Sequence, residues 1–159
     1  MARLIPNQNS WVAFCTTVAD TAQPDLSSEL SGGGCTVLTS FLVSLNASTR
    51  GNVVATPSFD TKFETSIDGT VTATFEADFY RDSTADTAWT TLTRGTAGYI
   101  VVARFGRAGA TPQVGDVVEV WPVKVTSRAA ANLTNNTAQT FTVTCAIPTV
   151  PNEAAVVKA

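Results

Sequence analysis

The run Val71-Thr-Ala-Thr-Phe-Glu-Ala-Asp-Phe79 alternates strictly between apolar and polar side chains. Successive side chains of a β-strand point to opposite faces, so this period of two predicts a strand with one buried face. Phe75 lies at the centre of the apolar face, while Glu76 and Asp78 lie on the polar face. The run therefore predicts a sheet protein with a core on one side of this strand.

Residues 59–67 precede this strand and alternate in the same way, with Phe59, Phe63 and Ile67 apolar. A three-residue Asp68-Gly69-Thr70 loop would pair Phe63 with Phe75, whereas a two-residue Asp-Gly turn would set an apolar face against a polar one. We therefore predict a β-hairpin with the three-residue loop, Lys62 opposite Glu76, and Phe63 and Phe75 in the core. Four carboxylates lie on the opposite face of this predicted hairpin: Asp60, Glu64, Glu76 and Asp78.

One short helix is predicted next, over residues 84–93. Asp82 or Ser83 supplies an N-cap, and Gly95 follows the last helical position. Trp89 and other apolar residues lie at helical spacing, so we expect the helix to pack on the sheet. Trp89 is therefore predicted to join the core.

Five further apolar stretches predict strands, and they are residues 11–17, 36–44, 99–105, 117–126 and 139–147. Strands in sequence with one central helix indicate a mainly β fold, either a β-sandwich or a partly rolled barrel with the helix packed on it. The predicted domain spans residues 11–147. Residues 1–10 and 148–159 are predicted to be extended terminal arms, because Pro148 and Pro151 break the last strand.

Residues 46–57 combine Asn, Ser, Thr, Gly and Pro around an adjacent pair, Val53 and Val54. This composition predicts a long mobile loop between two strands, and loops of about 12 residues are uncommon unless they are functional. Arg50 is its only charge. Two interpretations remain open: a passive surface loop, or a segment that becomes ordered when it contacts another molecule.

The composition excludes several functional classes. Charged residues make up 14% of the chain, the net charge is −3 and the pI is about 4.8. A general nucleic-acid-binding surface needs clustered Lys and Arg, which are absent here. The N-terminus lacks the apolar stretch of a signal peptide, and no apolar run approaches the roughly 18 residues of a membrane helix. We therefore expect a product that stays in the cytosol where it is made.

No constellation of residues for catalysis or metal binding is visible. The sequence contains no His, so Ser-His and Cys-His pairs cannot form. Cys15, Cys35 and Cys145 are widely spaced and are predicted to be free, partly buried thiols rather than a disulfide framework or a metal site. The carboxylates near the hairpin fit a solvated strand face better than a glycosidase pair. We predict no enzyme activity, no cofactor and no metal.

Six segments in a fixed order along the chain resemble the siphophage major tail tube protein family. Phe75-Glu-Ala-Asp-Phe-Tyr-Arg-Asp82, the helix, and Gly95-Thr-Ala-Gly-Tyr-Ile-Val-Val102 look like the centre of that family's fold. Residues 113–123, with the Gly115-Asp116 turn, resemble the long strand that follows. Residues 140–148 resemble the final strand, and residues 25–32 resemble an early helical segment. The resemblance covers roughly residues 10–150.

The resemblance implies a structural virion protein of the phage tail. Members form hexameric rings that stack into a hollow tube around a tape-measure protein, ended by terminator and initiator proteins, and double-stranded DNA passes through without specific binding. It also implies that residues 46–57 are an inter-ring stacking loop carrying Arg50, Val53 and Val54. Lumen carboxylates would repel DNA, and Asp60, Glu64, Glu76 and Asp78 are the candidates.

Two other classes remain as alternatives. One is a different virion structural protein, such as a capsid decoration or head–tail connector subunit, which would share the acidic, Thr-rich and β-rich character. The other is a carbohydrate-binding β-sandwich, in which Trp11, Trp89 and Trp121 would stack on sugars.

Overall fold

The computed structural model describes residues 9–31, 33–57, 65–105 and 110–159. Its strands are β1 (Trp11–Cys15), β2 (Cys35–Val37), β3 (Leu42–Thr56), β4 (Thr65–Tyr80), β5 (Ala97–Ala103), β6 (Val117–Ala130), β7 (Thr140–Ala146) and β8 (Asn152–Val156). Within the described residues they form one antiparallel sheet in the order β2-β1-β5-β6-β7-β4-β3, with β8 also paired to β6. The predicted mainly β fold is confirmed.

The helical elements are short. A single π-helical turn spans Leu26–Leu30, a 3-10 turn spans Thr39–Phe41, and the helix α1 spans Thr87–Thr91. The prediction of a helix over residues 84–93 was too long, because the Asp82 carboxylate accepts hydrogen bonds from the backbone N–H groups of Thr84 and Ala85 at 2.7 and 3.2 Å and holds a turn there. No helix in the described ranges is long and apolar enough to cross a membrane.

The sheet buries apolar side chains on both of its faces. The larger cluster joins β1, β4, β5, β6 and β7 around Phe75, Phe79, Phe141 and Trp121, and Ala88 and Leu92 of the α1 region pack against it. The smaller cluster lies on the opposite face of β1, β5 and β6. Leu30, Val18 and β8 cover this smaller cluster. Among the described residues, no polar or charged side chain is fully buried, so burial of apolar surface supplies the driving force for this fold.

The long strand β6 lets the sheet curl around the larger cluster. β6 pairs with β5 through Lys124 and with β7 from Lys124 onward, with a bulge between Val125 and Ser127. Bulges increase the local twist and bend of a strand. β1 packs closely against β5 at Gly98. A Cβ added there would lie 2.6 Å from the Phe14 ring and 2.7 Å from the Cys15 carbonyl oxygen. Glycine is therefore required at this position.

The predicted register of the hairpin was wrong. Phe75 pairs with Ala47 of β3 and Cys145 of β7, and Ile67 pairs with Val54, so β4 runs without a turn from Thr65 to Tyr80. Asp68-Gly69-Thr70 lies inside β4, where the register shifts and Gly69 and Thr70 together lie opposite the single β3 residue Asn52. Gly69 serves close packing there, since an added Cβ would lie 2.8 Å from the Asn52 carbonyl oxygen. Phe59, Asp60, Lys62, Phe63 and Glu64 lie outside the described residues.

The prediction of a mobile loop over residues 46–57 was also wrong, because residues up to Thr56 belong to β3. From Ser48 to Ala55 every residue of this strand is exposed. A strand without a buried face needs no alternation of apolar and polar residues, so its sequence resembles that of a loop. The polar composition reflects exposure of the strand on both faces.

The C-terminal residues are extended, but they do not form the free arm that was predicted. β8 pairs with β6 through Val117–Val156 and Val118–Ala155. The backbone N–H of Lys158 donates to the Pro24 carbonyl at 3.0 Å, and Ala155 and Val157 are buried. The small apolar residues after Pro151 therefore act as a strand that covers the smaller cluster. Residues 1–8 of the predicted N-terminal arm lie outside the described residues.

The prediction of three free thiols holds only for Cys145. Cys15 and Cys35 pair directly across β1 and β2 and form a disulfide. This pair was missed because the register of two strands 20 residues apart is not visible in the sequence. Cys145 is buried and has a free thiol, and burial raises its pKa to about 12.

Reducing the Cys15–Cys35 disulfide is expected to lower the melting temperature. A crosslink across 20 residues restricts the unfolded chain by about 3 kcal/mol in the loop-entropy model. For a domain of this size that corresponds to a fall of about 6–12 °C. Melting with and without reductant measures the effect, and Cys145→Ala should respond to reductant as the wild type does. An unchanged melting temperature after complete reduction would contradict this contribution.

Candidate assembly surface

The outer half of the β3–β4 hairpin projects beyond the rest of the sheet. Pairing between β4 and β7 ends at Phe75 opposite Cys145, while β3 and β4 stay paired as far as Thr56 and Thr65. We call residues 48–56 and 65–74 the projecting ribbon. A two-stranded ribbon is marginally stable by itself in water, and its outer strand leaves backbone hydrogen-bonding groups unpaired along one edge. Such a ribbon is suited to packing against another chain.

Four large aliphatic side chains of the projecting ribbon are exposed to solvent. The exposed fractions are 61% for Val53, 46% for Val54, 59% for Ile67 and 64% for Val71. Val54 and its cross-strand partner Ile67 share one face, and alternation along β3 places Val53 on the other face. Aliphatic groups on both faces of an exposed ribbon would lose contact with water if another chain packed against them, and such burial is favourable.

The residues predicted for a stacking loop all lie in this ribbon. Arg50 is exposed and pairs with Thr72, whose hydroxyl donates to the Arg50 carbonyl at 3.3 Å. Val53 and Val54 follow Asn52, at which the register between β3 and β4 shifts. Ile67 and Val71 belong to the same surface but were missed, because they were assigned to the buried face of a different hairpin.

Two of the four predicted lumen carboxylates lie together on the polar face of β4. Glu76 is exposed, and Asp78 is half-buried between β3 and β7. The Asp78 carboxylate accepts hydrogen bonds from the hydroxyls of Ser44 at 2.6 Å and Thr142 at 2.5 Å, and these bonds keep its pKa below the ordinary value. Asp78 therefore keeps its negative charge to lower pH than a free aspartate. Asp60 and Glu64 lie outside the described residues.

Of the predicted core residues, Phe75 is 1% exposed and its ring centroid lies 5.9 Å from that of Trp121. Trp89 is only half-buried and packs edge-on against Phe141 at 5.0 Å. The guanidinium groups of Arg81 and Arg128 lie over the Trp89 ring at 3.9 and 3.7 Å. Trp89 thus lies at the edge of the core and covers part of it. Phe63, the third predicted core residue, lies outside the described residues.

The whole sequence, residues 1–159, matches the family described as phage tail tube protein. The chain belongs to the phage tail tube protein family. This family is structural, so this tail tube protein is a component of the phage tail and not an enzyme. Across the described residues, no group of three or more Cys, Asp or Glu side chains is arranged to hold a metal ion.

A solved structure supports the fold of this tail tube protein. A chain of the anti-feeding prophage baseplate, determined by cryo-EM with 6-fold symmetry applied, superposes with a TM-score of 0.56. The two chains share 9% identity, and the superposition covers 94% of this chain and 95% of the other. A search of curated proteins finds no match. At this level of identity the likeness concerns the fold.

The positions of the tryptophans in this tail tube protein disfavour the carbohydrate-binding alternative. Trp11 and Trp121 are each 1% exposed, so neither offers a ring face to a sugar. Trp89 has its ring between two guanidinium groups. All three tryptophans therefore serve packing within the subunit.

Proposed function

We propose that this chain is the major tail tube subunit, which self-assembles into hexameric rings that stack into the conduit for phage DNA. Membership of the tail tube family supports this proposal. The structurally similar baseplate chain comes from an assembly with 6-fold symmetry, which favours a ring of the same order. In this proposal the subunit assembles in the host bacterial cytoplasm, around a tape-measure protein and between initiator and terminator proteins.

The projecting ribbon is the observation that carries the proposal. In our proposal Arg50, Val53 and Val54, together with Ile67 and Val71, contact the adjacent ring. Each of these aliphatic side chains is about half exposed, and covering such a side chain contributes about 1 kcal/mol. One ribbon would hold weakly, but the ribbons of a ring would act together, and multivalent contacts strengthen one another.

The polar face of β3, β4 and β7 is our candidate for the lumen wall. It carries Glu76 and Asp78 among hydroxyl-bearing side chains, and Asp60 and Glu64 remain candidates from the sequence. Fixed negative charges repel phosphates within roughly 8–10 Å at physiological salt. A wall of this kind lets double-stranded DNA pass without binding it. A cryo-EM map with these carboxylates on the outer wall would contradict the assignment.

Electron microscopy of the purified chain tests the proposal. We expect hollow tubes of constant diameter with 6-fold symmetry in cross-section, formed above a threshold protein concentration. Analytical ultracentrifugation across the same concentrations provides the control, since it detects small closed oligomers directly. Soluble trimers, or monomers at all concentrations, would contradict a tube subunit and favour a decoration or connector protein.

A further inference from the structure

At the base of the projecting ribbon, side chains connect β3 to strands of the sheet with which its backbone is not paired. β3 is the last strand in the sheet order, and it has no backbone pairing with β5, β6 or β8 among the described residues. Nevertheless two of its residues, Ala47 and Thr49, are hydrogen bonded to side chains from that part of the sheet. These contacts join residues 57 and 104 positions apart in the sequence.

Arg104, directly after β5, makes the first of these contacts. Its Nη2 donates to the Ala47 carbonyl oxygen at 3.1 Å and to Oε2 of Glu119 at 3.0 Å, and its Nε donates to Oε1 of Glu119. The bidentate pair fixes the plane of the guanidinium group. Nε1 of the buried Trp121 also donates to Glu119 at 3.0 Å, so the carboxylate is held from the core. Hydrogen bonding to Glu119 raises the pKa of Arg104.

Glu153 of β8 makes the second contact. Its Oε1 accepts a hydrogen bond from the Thr49 hydroxyl at 2.7 Å. The carboxylate also interacts electrostatically with Arg104. The two contacts are therefore linked. Arg104 contacts the backbone of Ala47, and Glu153 contacts the side chain of Thr49, two residues further along β3.

Both contacts lie where the ribbon leaves the sheet. Ala47 is opposite Phe75, at which the pairing of β4 with β7 ends on the ribbon side. Thr49 is the next β3 residue on the same face. Beyond this point, β3 and β4 pair with no other strand among the described residues. A two-stranded ribbon twists and bends easily, so contacts at its base set the direction of its far end.

We propose that Arg104 and Glu153 are positioning residues that fix the angle at which the projecting ribbon leaves the body of the subunit. The importance of that angle for assembly rests on the proposed function, because a ribbon that swings would reach a neighbouring ring less often. The angle itself is a property of the single subunit. It can therefore be measured without tubes.

Distances between spin labels at Asn52→Cys on the ribbon and Lys124→Cys on β6 report this angle. Both positions are exposed, and the native cysteines are bonded or buried. We expect a narrow distance distribution in the otherwise unchanged chain and a broad one when Arg104→Gln and Thr49→Val are combined. Each substitution alone should broaden it partially. Arg94→Gln, at an exposed arginine outside this network, serves as the matched control and should leave the distribution narrow.

Amide exchange and assembly provide independent measurements on the same variants. Exchange at residues 48–51 should rise about tenfold in the double variant, as expected when a hydrogen bond to a charged group is lost. Tube formation should slow by a similar factor while the far-UV circular dichroism is unchanged. The proposal would be overturned by a distance distribution that stays narrow in the double variant. It would also be overturned by a distribution that is already broad in the chain carrying only the two label sites. Absence of tubes from the wild-type chain would instead count against the proposed function.

Discussion

Phe75→Ala is expected to destabilise the fold strongly. Phe75 is 1% exposed at the centre of the larger cluster, where it contacts Trp121 and lies on the strand between β3 and β7. Truncation of a buried Phe to Ala costs roughly 3–5 kcal/mol, out of about 5–15 kcal/mol for a typical domain. The melting temperature should fall by about 6–20 °C, as measured by calorimetry or circular dichroism.

Val71→Ala is the matched control, because Val71 lies on the same strand but is 64% exposed. This substitution should change the stability of the isolated subunit by about 0.5 kcal/mol or less. The comparison separates loss of core packing from loss of β propensity in β4. If Phe75→Ala melts within a few degrees of the wild type, Phe75 does not support the core in the way its burial indicates.

Removing residues 51–71, which include the outer part of the projecting ribbon, is expected to abolish tube formation while the subunit stays folded. Arg50 pairs directly with Thr72, so a two-residue Asn-Gly turn can join them in place of residues 51–71. The buried clusters lie outside the removed segment, which contributes only exposed side chains among its described residues, apart from Gly69 and Thr56. Circular dichroism should therefore show a folded monomer, and electron microscopy should show no tubes at any concentration.

A second variant tests whether the apolar side chains are responsible. Val53→Thr combined with Val54→Thr keeps the β-branched shape of both residues and the pairing with β4, but it weakens apolar contacts. We expect the concentration needed for tube formation to rise steeply, because the same loss is repeated around each ring. Leu133→Thr provides the control, since Leu133 is 84% exposed outside the ribbon. Full-length tubes from the truncated chain would show that the ribbon is a passive surface feature.

The sequence predicted the fold class correctly, because alternation is strict wherever one face of a strand is buried. From Phe75 to Phe79, the predicted inward positions are all buried. The same alternation misled at Val71, because β4 continues into the ribbon, where the corresponding face has no partner. A pattern of apolar residues shows which side chains share a face, but it does not show whether that face is covered.

The partners of each strand were much harder to predict than the strands themselves. Asp68-Gly69 has the composition of a hairpin turn, but in the structure Gly69 allows close approach of the Asn52 carbonyl. The Cys15–Cys35 disulfide, the docking of β8, and the Thr49–Glu153 contact all join segments that are distant along the chain. Local composition carries no signal for such pairings, since any exposed strand edge is chemically similar to another.

The placement of the tryptophans gives the protein an optical reporter that needs no label. Trp11 and Trp121 are sealed from solvent, whereas Trp89 is half-buried beside two guanidinium groups. A small water-soluble quencher should therefore act mainly on the emission of Trp89. If a neighbouring subunit covers the margin of the core around α1, quenching will decrease as assembly proceeds. If that margin stays open in the finished particle, quenching will be unchanged, and the fluorescence will locate α1 on an exposed wall.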